Sequence, residues 1–598
     1  MAQVLHITIN GKPCEALEGQ TILQAAKANG IYIPSLCYLE GIHQYGACRV
    51  CMVEVQGFRT LAASCMVPVK EGMVIRTNSA RVRRARKMNI ELILSDHPQD
   101  CLSCARNNQC ELQKLAAEQG IERARFKGEK SAAILDVGPS ITRDTSKCIL
   151  CRRCVTVCND IQKIGVLNAQ NRGFKTVIGP ALGKTMGQVD CTNCGQCTIV
   201  CPVNALSETS SIDKVWDALG NPHKRVVVQT APAVRVSIGE EFGLPAGEPV
   251  TGKLATALRQ LEFDDVFDTN FAADLTIMEE GSEFLERARA ALTGGKAVLP
   301  MITSCSPGWV KFLEHRYAGQ IPNLSTCKSP HMMEGAVIKS YYAEKIGVKP
   351  EDIFVVSIMP CTAKKFEITR PEMQNNGQPN VDAVLTVREL AKMIREAGID
   401  FAELPDGEYD SPMGNGTGAA DIFGMTGGVM EAALRTVYEL ATGRPLPFEK
   451  LHVAPIEGSA MIKKAELKFE NVLPEYGFLE GFTAKVAVTS GFEGAGILMD
   501  EVAGGKADYH FIEVMGCPGG CVTGGGQPIV SAQKRMECDP RAVRAAALYR
   551  EDANKPLRRS HENPEIKALY ADYLGAPNSH KAHELLHTTY TARAKYSK

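Results

Sequence analysis

Cys148-Ile-Leu-Cys151-Arg-Arg-Cys154-Val-Thr-Val-Cys158 and Cys191-Thr-Asn-Cys194-Gly-Gln-Cys197-Thr-Ile-Val-Cys201-Pro202 write one spacing twice, CxxCxxCxxxC, with proline behind the second copy. The spacing suits a pair of [4Fe–4S] cubanes in which each run gives its first three thiolates to one cluster and its fourth to the other. Two zinc ribbons are the alternative, but structural zinc needs closed sets of four ligands and has no use for a crossed fourth cysteine. Residues 139–210 are therefore expected to form a small electron-carrying domain.

The rest of the composition agrees. At 598 residues the chain has room for several domains. Its 22 cysteines, behind an N-terminus with no basic and apolar leader, point to a cytoplasmic protein whose thiols bind metal rather than form disulfides. Lysine plus arginine balance aspartate plus glutamate, 67 against 68, so there is no broad positive field for nucleic acid or anionic lipid. No apolar run reaches the roughly 18 to 20 residues that span a bilayer. Neither nucleic-acid binding nor membrane insertion is expected.

Working outward to the N-terminus, Leu5, Ile7 and Ile9 alternate with polar residues and turn at Asn10-Gly11, which reads as a hairpin. A short helix over Thr21 to Ala28 ends near Gly30. Strands on one helix, followed by Cys37, Cys48, Cys51 and Cys65, resemble a plant-ferredoxin-like β-grasp domain over residues 1–80 holding a [2Fe–2S] cluster. A zinc site or free thiols are the plainer alternative. Residues 81–138 then carry His97, Cys101, Cys104 and Cys110. One imidazole and three thiolates suit tetrahedral zinc as well as a [4Fe–4S] cluster, and the place between two redox modules favours the cluster. The basic run Arg81 to Lys87, RVRRARK, reads as the solvated face of a helix continuing to Leu94.

After Ser210 the cysteine density drops and strand-like runs alternate with helices, giving a fourth, α/β domain over 211–598 in an α+β multidomain chain. Three of its strand-like runs end in cysteine. Ala297 to Ile302 leads to Thr303-Ser-Cys305-Ser306-Pro-Gly-Trp309, Phe354 to Ile358 leads to Met359-Pro-Cys361-Thr-Ala-Lys364, and His510 to Val514 leads to Met515-Gly-Cys517-Pro-Gly-Gly-Cys521. Sites in open α/β sheets gather beyond the carboxyl ends of strands, so these loops should converge.

The three loops resemble the signature segments of iron-only (FeFe) hydrogenases: TSCCPxW stands here as TSCSPGW, MPCxxK as MPCTAK and ExMxCxxGCxxGGG as EVMGCPGGCVTGGG. With the cluster motifs ahead of them, including the two-cluster bacterial ferredoxin run, they match the long, multi-cluster form of that family over essentially the whole chain. The resemblance implies an H-cluster, a cubane joined through one shared thiolate to a two-iron unit carrying carbonyl, cyanide and a bridging dithiolate. It implies Cys361, Cys517 and Cys521 as cubane ligands, with Cys521 shared. It also implies Lys364 as the cation that holds a cyanide, and Met359, Met515 and Pro232 as packing around the two-iron unit. The first loop departs from the family pattern. Residue-by-residue transfer makes Cys305 the proton-relay thiol and Ser306 the fourth ligand, yet an alkoxide is a hard ligand for such a cluster, so Cys305 and Ser306 both stand as candidates. His331 occupies a position where the family commonly has glutamine.

The resemblance further assigns a proton relay to Glu280, Glu283, Ser325 and Arg287; without it, Glu280 and Glu283 would read as an acidic helix face. Cys14, Cys327 and Cys538 fit no cluster pattern and read as structural. The glycine-rich stretches lack the strand-GxGxxG-helix setting of a dinucleotide site, so electrons are expected from a ferredoxin or from a flavin- or NAD(P)-binding subunit. The expected cofactors are one [2Fe–2S], three accessory [4Fe–4S] clusters and one H-cluster, and the expected activity is reversible interconversion of H2 with protons and electrons. The alternatives are the same catalyst confined to an NAD(P)-linked, electron-bifurcating complex, and a non-catalytic electron-relay, H2-sensing or cluster-assembly protein.

Overall fold

A computed structural model describes residues 3–131, 133–447, 454–456 and 459–596. Strands Val4–Ile9 and Lys12–Leu17 pair antiparallel with Ile9 opposite Lys12. Between them Asn10 and Gly11 take φ of 51° and 82°, the left-handed pair that a two-residue turn demands. Leu5, Ile7 and Ile9 bury one face of this hairpin in the same core as helix Ile22–Ala28, which a reciprocal capping box between Thr21 and Gln24 starts. Strands Val74–Arg76, Met52–Val55 and Ala62–Ala63 complete a five-stranded mixed sheet.

Helix Ala80–Asp96 follows, capped by Ser79. Here the reading of RVRRARK as a solvated face fails at one position. Arg81, Arg83 and Arg84 are exposed, but Arg86 is buried and donates to the carbonyls of Val50, Met52 and Thr77. Those acceptors would otherwise be buried without partners. The guanidinium fastens the helix to the first sheet.

Strands Leu206–Glu208, Ile141–Asp144 and Leu135–Val137 form an antiparallel sheet beside the two cysteine runs. Each run enters a one-turn helix, Arg153–Thr156 or Gln196–Ile199, through a left-handed residue, Arg152 with φ 66° and Gly195 with φ 68°. Gly195 is also where this region presses on the C-terminal one. A Cβ there would lie 2.2 Å from Thr362 Oγ1 and 3.1 Å from Gly525 Cα, so a side chain does not fit.

Two sheets build the remainder. One is all parallel, in the order Asp265–Asp268, Arg225–Thr230, Ile353–Met359, Ala383–Thr386. Its Val226, Val227, Val228, Val355 and Val356 are buried, as a sheet covered on both faces requires. The other runs Met301–Ile302, Phe511–Met515, Thr483–Ser490, Ser459–Lys468, Ala454–Ile456, parallel across the first three and antiparallel thereafter. The run from Ala297 contributes only Met301 and Ile302 to it. Pro300 has no N–H for a ladder and breaks the strand. Helix Thr269–Leu292 is buried along most of its length and packs on helices Pro330–Val337 and Gly428–Thr442. Among the described residues no helix is long and apolar enough to cross a membrane.

Candidate active site and its electron and proton connections

The segments that follow strands Arg225–Thr230, Met301–Ile302, Ile353–Met359 and Phe511–Met515 share one cavity of about 90 Å³. Pro232, Cys305, Ser306, Met359, Cys361, Lys364, Met515, Cys517 and Cys521 all line it, together with His331. Its walls are backbone-tight: a Cβ on Gly524 would lie 2.1 Å from the Pro360 carbonyl oxygen, and one on Gly525 2.3 Å from that of Cys194. Burial raises all four thiols, Cys521 to about 12. Lys364 opposes the rise at Cys305, Cys361 and Cys521. Converging soft donors in an apolar cavity, short of positive charge, fit an iron–sulfur group.

The first loop turns its two candidate side chains differently. Ser306 Oγ accepts the N–H of Gly516 at 3.2 Å, beside Cys517. The charges of Glu280 and Cys521 add to burial in raising the Cys305 thiol. Cys361 and Cys521 likewise act on Cys517. Lys364 Nζ donates to the Cys305 carbonyl at 3.2 Å and to Glu367 Oε2 at 3.0 Å. Behind it, Glu367 Oε2 lies 2.8 Å from His331 Nε2, and His331 Nδ1 lies 3.1 Å from Ser357 Oγ. Burial would raise Glu367, but Lys364 and His331 outweigh it and hold the carboxyl down at about 2. Burial, reinforced by Lys364, brings His331 down to about 4, so its imidazole is neutral.

A file of hydrogen-bonding groups runs outward behind the Cys305 loop, beginning with Ser304 and Glu280. Glu280 is fully buried, and burial followed by the charge of Glu283 raises it to about 7. Its Oε1 faces the N–H and hydroxyl of Ser304, both at 3.4 Å, while Oε2 has no hydrogen-bond partner among the described residues. Ser325, which also bears on Glu280, donates to Glu283 Oε2 at 2.8 Å. Arg287 donates to Glu283 Oε1 at 2.6 Å and is 17% exposed. Ser325 thus stands between Glu280 and Glu283, and Arg287 extends the group toward solvent.

The accessory thiols gather in three places. Cys37 meets Cys48 and Cys65, and Cys65 meets Cys51. Among the described residues His97 Nδ1 is buried without a hydrogen-bond partner, and burial followed by Lys130 lowers the imidazole; after the turn Cys101–Ser103, Cys104 acts on Cys110. Cys148, Cys151 and Cys154 each feel Cys201, whereas Cys191 and Cys197 feel Cys158 and Cys194, so the two runs cross.

Several connecting residues were not singled out from the sequence. Gln196 bonds Cys517 and donates to the Thr523 carbonyl at 2.8 Å; Gln162 bonds Cys194 and donates to the Gly516 carbonyl at 3.0 Å. They bridge the second ferredoxin run and the cavity. Arg153, buried, donates to the carbonyls of Cys37, Tyr38 and Val200 and grips Glu111 with both terminal nitrogens. It ties three cysteine-bearing segments together. The positions of Arg153 between Cys151 and Cys154, and of Gln196 just before Cys197, were the available signals. Glu367, three residues after Lys364 on one helix face, offered another.

The family described as iron only hydrogenase large subunit, C-terminal domain, matches residues 224–525, which hold all three cysteine loops. This chain belongs to the iron-only hydrogenases. It is an oxidoreductase acting on H2, with iron–sulfur domains ahead of its catalytic region. The iron hydrogenase small subunit family matches residues 538–593, so a single chain carries both parts. A 2Fe-2S iron-sulfur cluster binding domain matches 2–80, the NADH-ubiquinone oxidoreductase-G iron-sulfur binding region 86–125, and a 4Fe-4S dicluster domain 147–205. The hydrogenase is 51% identical to the NADP-reducing hydrogenase subunit HndD of Solidesulfovibrio fructosivorans, over 99% of this chain and 100% of that one. It is 42% identical to iron hydrogenase 1 of Clostridium pasteurianum, over 98% and 99%. A solved structure of [FeFe]-hydrogenase HydA1 from Chlamydomonas reinhardtii superposes with a TM-score of 0.58 at 46% identity, covering 64% of this chain and 99% of that one.

Proposed function

We propose that this hydrogenase interconverts H2 with protons and electrons at an H-cluster seated in the cavity, fed by one [2Fe–2S] and three [4Fe–4S] clusters. When bound, the H-cluster supplies the two-electron chemistry. Cys361, Cys517 and Cys521 would hold it, with Ser306 at the fourth cubane position and Cys305 as the relay thiol. The placement of Cys305 beside Glu280, and of Ser306 against Gly516, favours that division over its reverse. Lys364, anchored by Glu367, offers one ammonium in an apolar wall to an anionic ligand such as cyanide. Glu280 holds or releases a proton near neutrality, and Ser325 passes it to Glu283 beside Arg287.

The observation that carries the reading is the set Glu280, Ser325, Glu283 and Arg287 leading away from a cavity lined by Cys305, Cys361, Cys517 and Cys521. A sensor or a relay scaffold has no need of a buried acid that titrates near pH 7. The ligand sets of the accessory clusters follow the three gatherings: Cys37, Cys48, Cys51 and Cys65 for [2Fe–2S]; His97, Cys101, Cys104 and Cys110 for the first [4Fe–4S]; and the crossed runs for the other two. Gln162 and Gln196 mark where electrons pass to the active site. Ferredoxin or a flavin- and NAD(P)-binding subunit is the proposed partner, and cytoplasm the location. The HndD relative supports a multi-subunit, NAD(P)-linked setting, and electron bifurcation is the second reading.

The chain, loaded with its clusters, should evolve hydrogen from reduced viologen and show carbonyl and cyanide infrared bands. Bands without turnover would leave a sensor, and neither would remove the reading.

A further inference from the structure

Cys327 belongs to no cluster motif, is 1% exposed and lies beside the proton file without being part of it, its Sγ 4.0 Å from Glu283 Oε2. Its Sγ, a carboxylate oxygen of Glu283 and a ring nitrogen of His587 all lie within 4.8 Å of one another. The imidazole is oriented from behind. Glu279 accepts from the Tyr570 hydroxyl and from the N–H of Asn578 at 2.9 Å, so it meets His587 Nε2, at 3.1 Å, as an acceptor as well. The ring proton therefore sits on Nε2. The lone pair is left on Nδ1, which now receives the Thr326 hydroxyl at 2.7 Å. A carboxylate fixing the far nitrogen of an imidazole is how proteins aim a histidine at a metal.

Charge points the same way. Glu283, Glu280 and Glu279 all press on the Cys327 thiol, and of the three the guanidinium of Arg287 pairs with Glu283. A buried group of this composition is short of positive charge, and a divalent cation supplies it. Thiolate, imidazole and carboxylate together select zinc-type ions over magnesium or calcium. His583, which is exposed, lies over His587 with ring centroids 4.0 Å apart and the planes tilted by 35°.

We propose that Glu283, Cys327 and His587 form a binding site for a thiophilic divalent cation of the zinc type, and that filling it withdraws Glu283 from proton transfer. Binding forms a metal–sulfur bond as the Cys327 S–H bond breaks, with the proton leaving to solvent. The site stands on its own geometry, whereas the inhibition rests on the proton route proposed above.

The test adds Zn²⁺ to the loaded full-length enzyme and removes the excess by gel filtration. One additional zinc per chain is expected, with a sulfur neighbour in the zinc K-edge X-ray absorption spectrum. Viologen-linked hydrogen evolution should fall roughly tenfold or more and recover with a chelator. Cys327→Ala, as active as wild type without zinc, should lose the sulfur neighbour and resist inhibition. A zinc spectrum without sulfur, or equal inhibition of Cys327→Ala, would overturn the site. Zinc held through Cys327 at undiminished turnover would overturn the role of Glu283 and with it the proton route, leaving the cluster assignments intact.

Discussion

The hydroxyl of Ser325 donates to Glu283 Oε2 at 2.8 Å, and that bond joins two buried carboxyl groups of one helix, Glu280 and Glu283, into a single route. Ser325→Ala should therefore slow hydrogen turnover on the order of 100-fold, and Glu280→Gln at least as much, because an amide keeps the shape but does not exchange a proton as a carboxylate does. Iron content and infrared bands should be unchanged in both. Wild-type rates in both variants would place the protons elsewhere.

The acidity of Glu280 gives that route a pH signature. Burial, then Glu283, raises the carboxyl from its ordinary 4.5 to about 7. Hydrogen evolution draws on the protonated form, so its rate should fall as pH rises through about 7, while hydrogen oxidation, which needs the carboxylate, should gain. Protein-film voltammetry of wild type and Glu280→Gln would check this. The inflection should be missing from the variant, and its persistence would assign it to another group.

Cys305 and Ser306 are adjacent yet face different neighbours, and substitution should separate them. Cys305→Ala should lose nearly all turnover while keeping the carbonyl and cyanide bands, because it removes the thiol next to Glu280 and no ligand. Ser306→Cys should also keep the bands and retain activity, since it restores a soft donor where the family pattern has one. Disappearance of the bands in Cys305→Ala would reverse the two roles.

Much of this was legible because it is written in spacing. The paired CxxCxxCxxxC runs, the Asn10-Gly11 turn and the strand-to-cysteine loops follow from local chemistry, and the cavity collects every residue the resemblance named for it. What the sequence did not disclose depends on long-range burial. Arg86 shares a helix face with Val82 and Ile90, four residues to either side, but only the packed first sheet supplies the carbonyls that take a guanidinium inward there. Arg153 likewise looks like an ordinary basic residue between two ligands until Cys37, Glu111 and Val200 close around it. The division proposed between Cys305 and Ser306 rests on the position of Glu280, which lies on a helix before the loop.

The stitching of the N-terminal domain also decides how electron delivery should be tested. His43 reaches Thr156 Oγ1 at 2.7 Å and the Cys151 carbonyl at 3.0 Å, and Arg153 reaches back to the carbonyls of Cys37 and Tyr38. Deleting residues up to about Arg81 would strip partners from the buried Arg153 and Arg86, and a lost arginine partner of this kind destabilises the remainder. A single substitution is the cleaner probe. Cys48→Ser should remove the [2Fe–2S] signal from the electron paramagnetic resonance spectrum and leave the other clusters in place. Reduced viologen should still drive hydrogen evolution in this variant, because a small reductant can reach the clusters nearer the active site. Coupling to the physiological donor should fall on the order of tenfold or more if that donor docks at the first domain. NADH alone should drive neither protein, since the chain has no strand-GxGxxG-helix fingerprint. NADH-dependent hydrogen evolution by the isolated wild-type chain would require a nucleotide site within it, and unaltered donor coupling in Cys48→Ser would move the point of electron uptake to the cluster at His97.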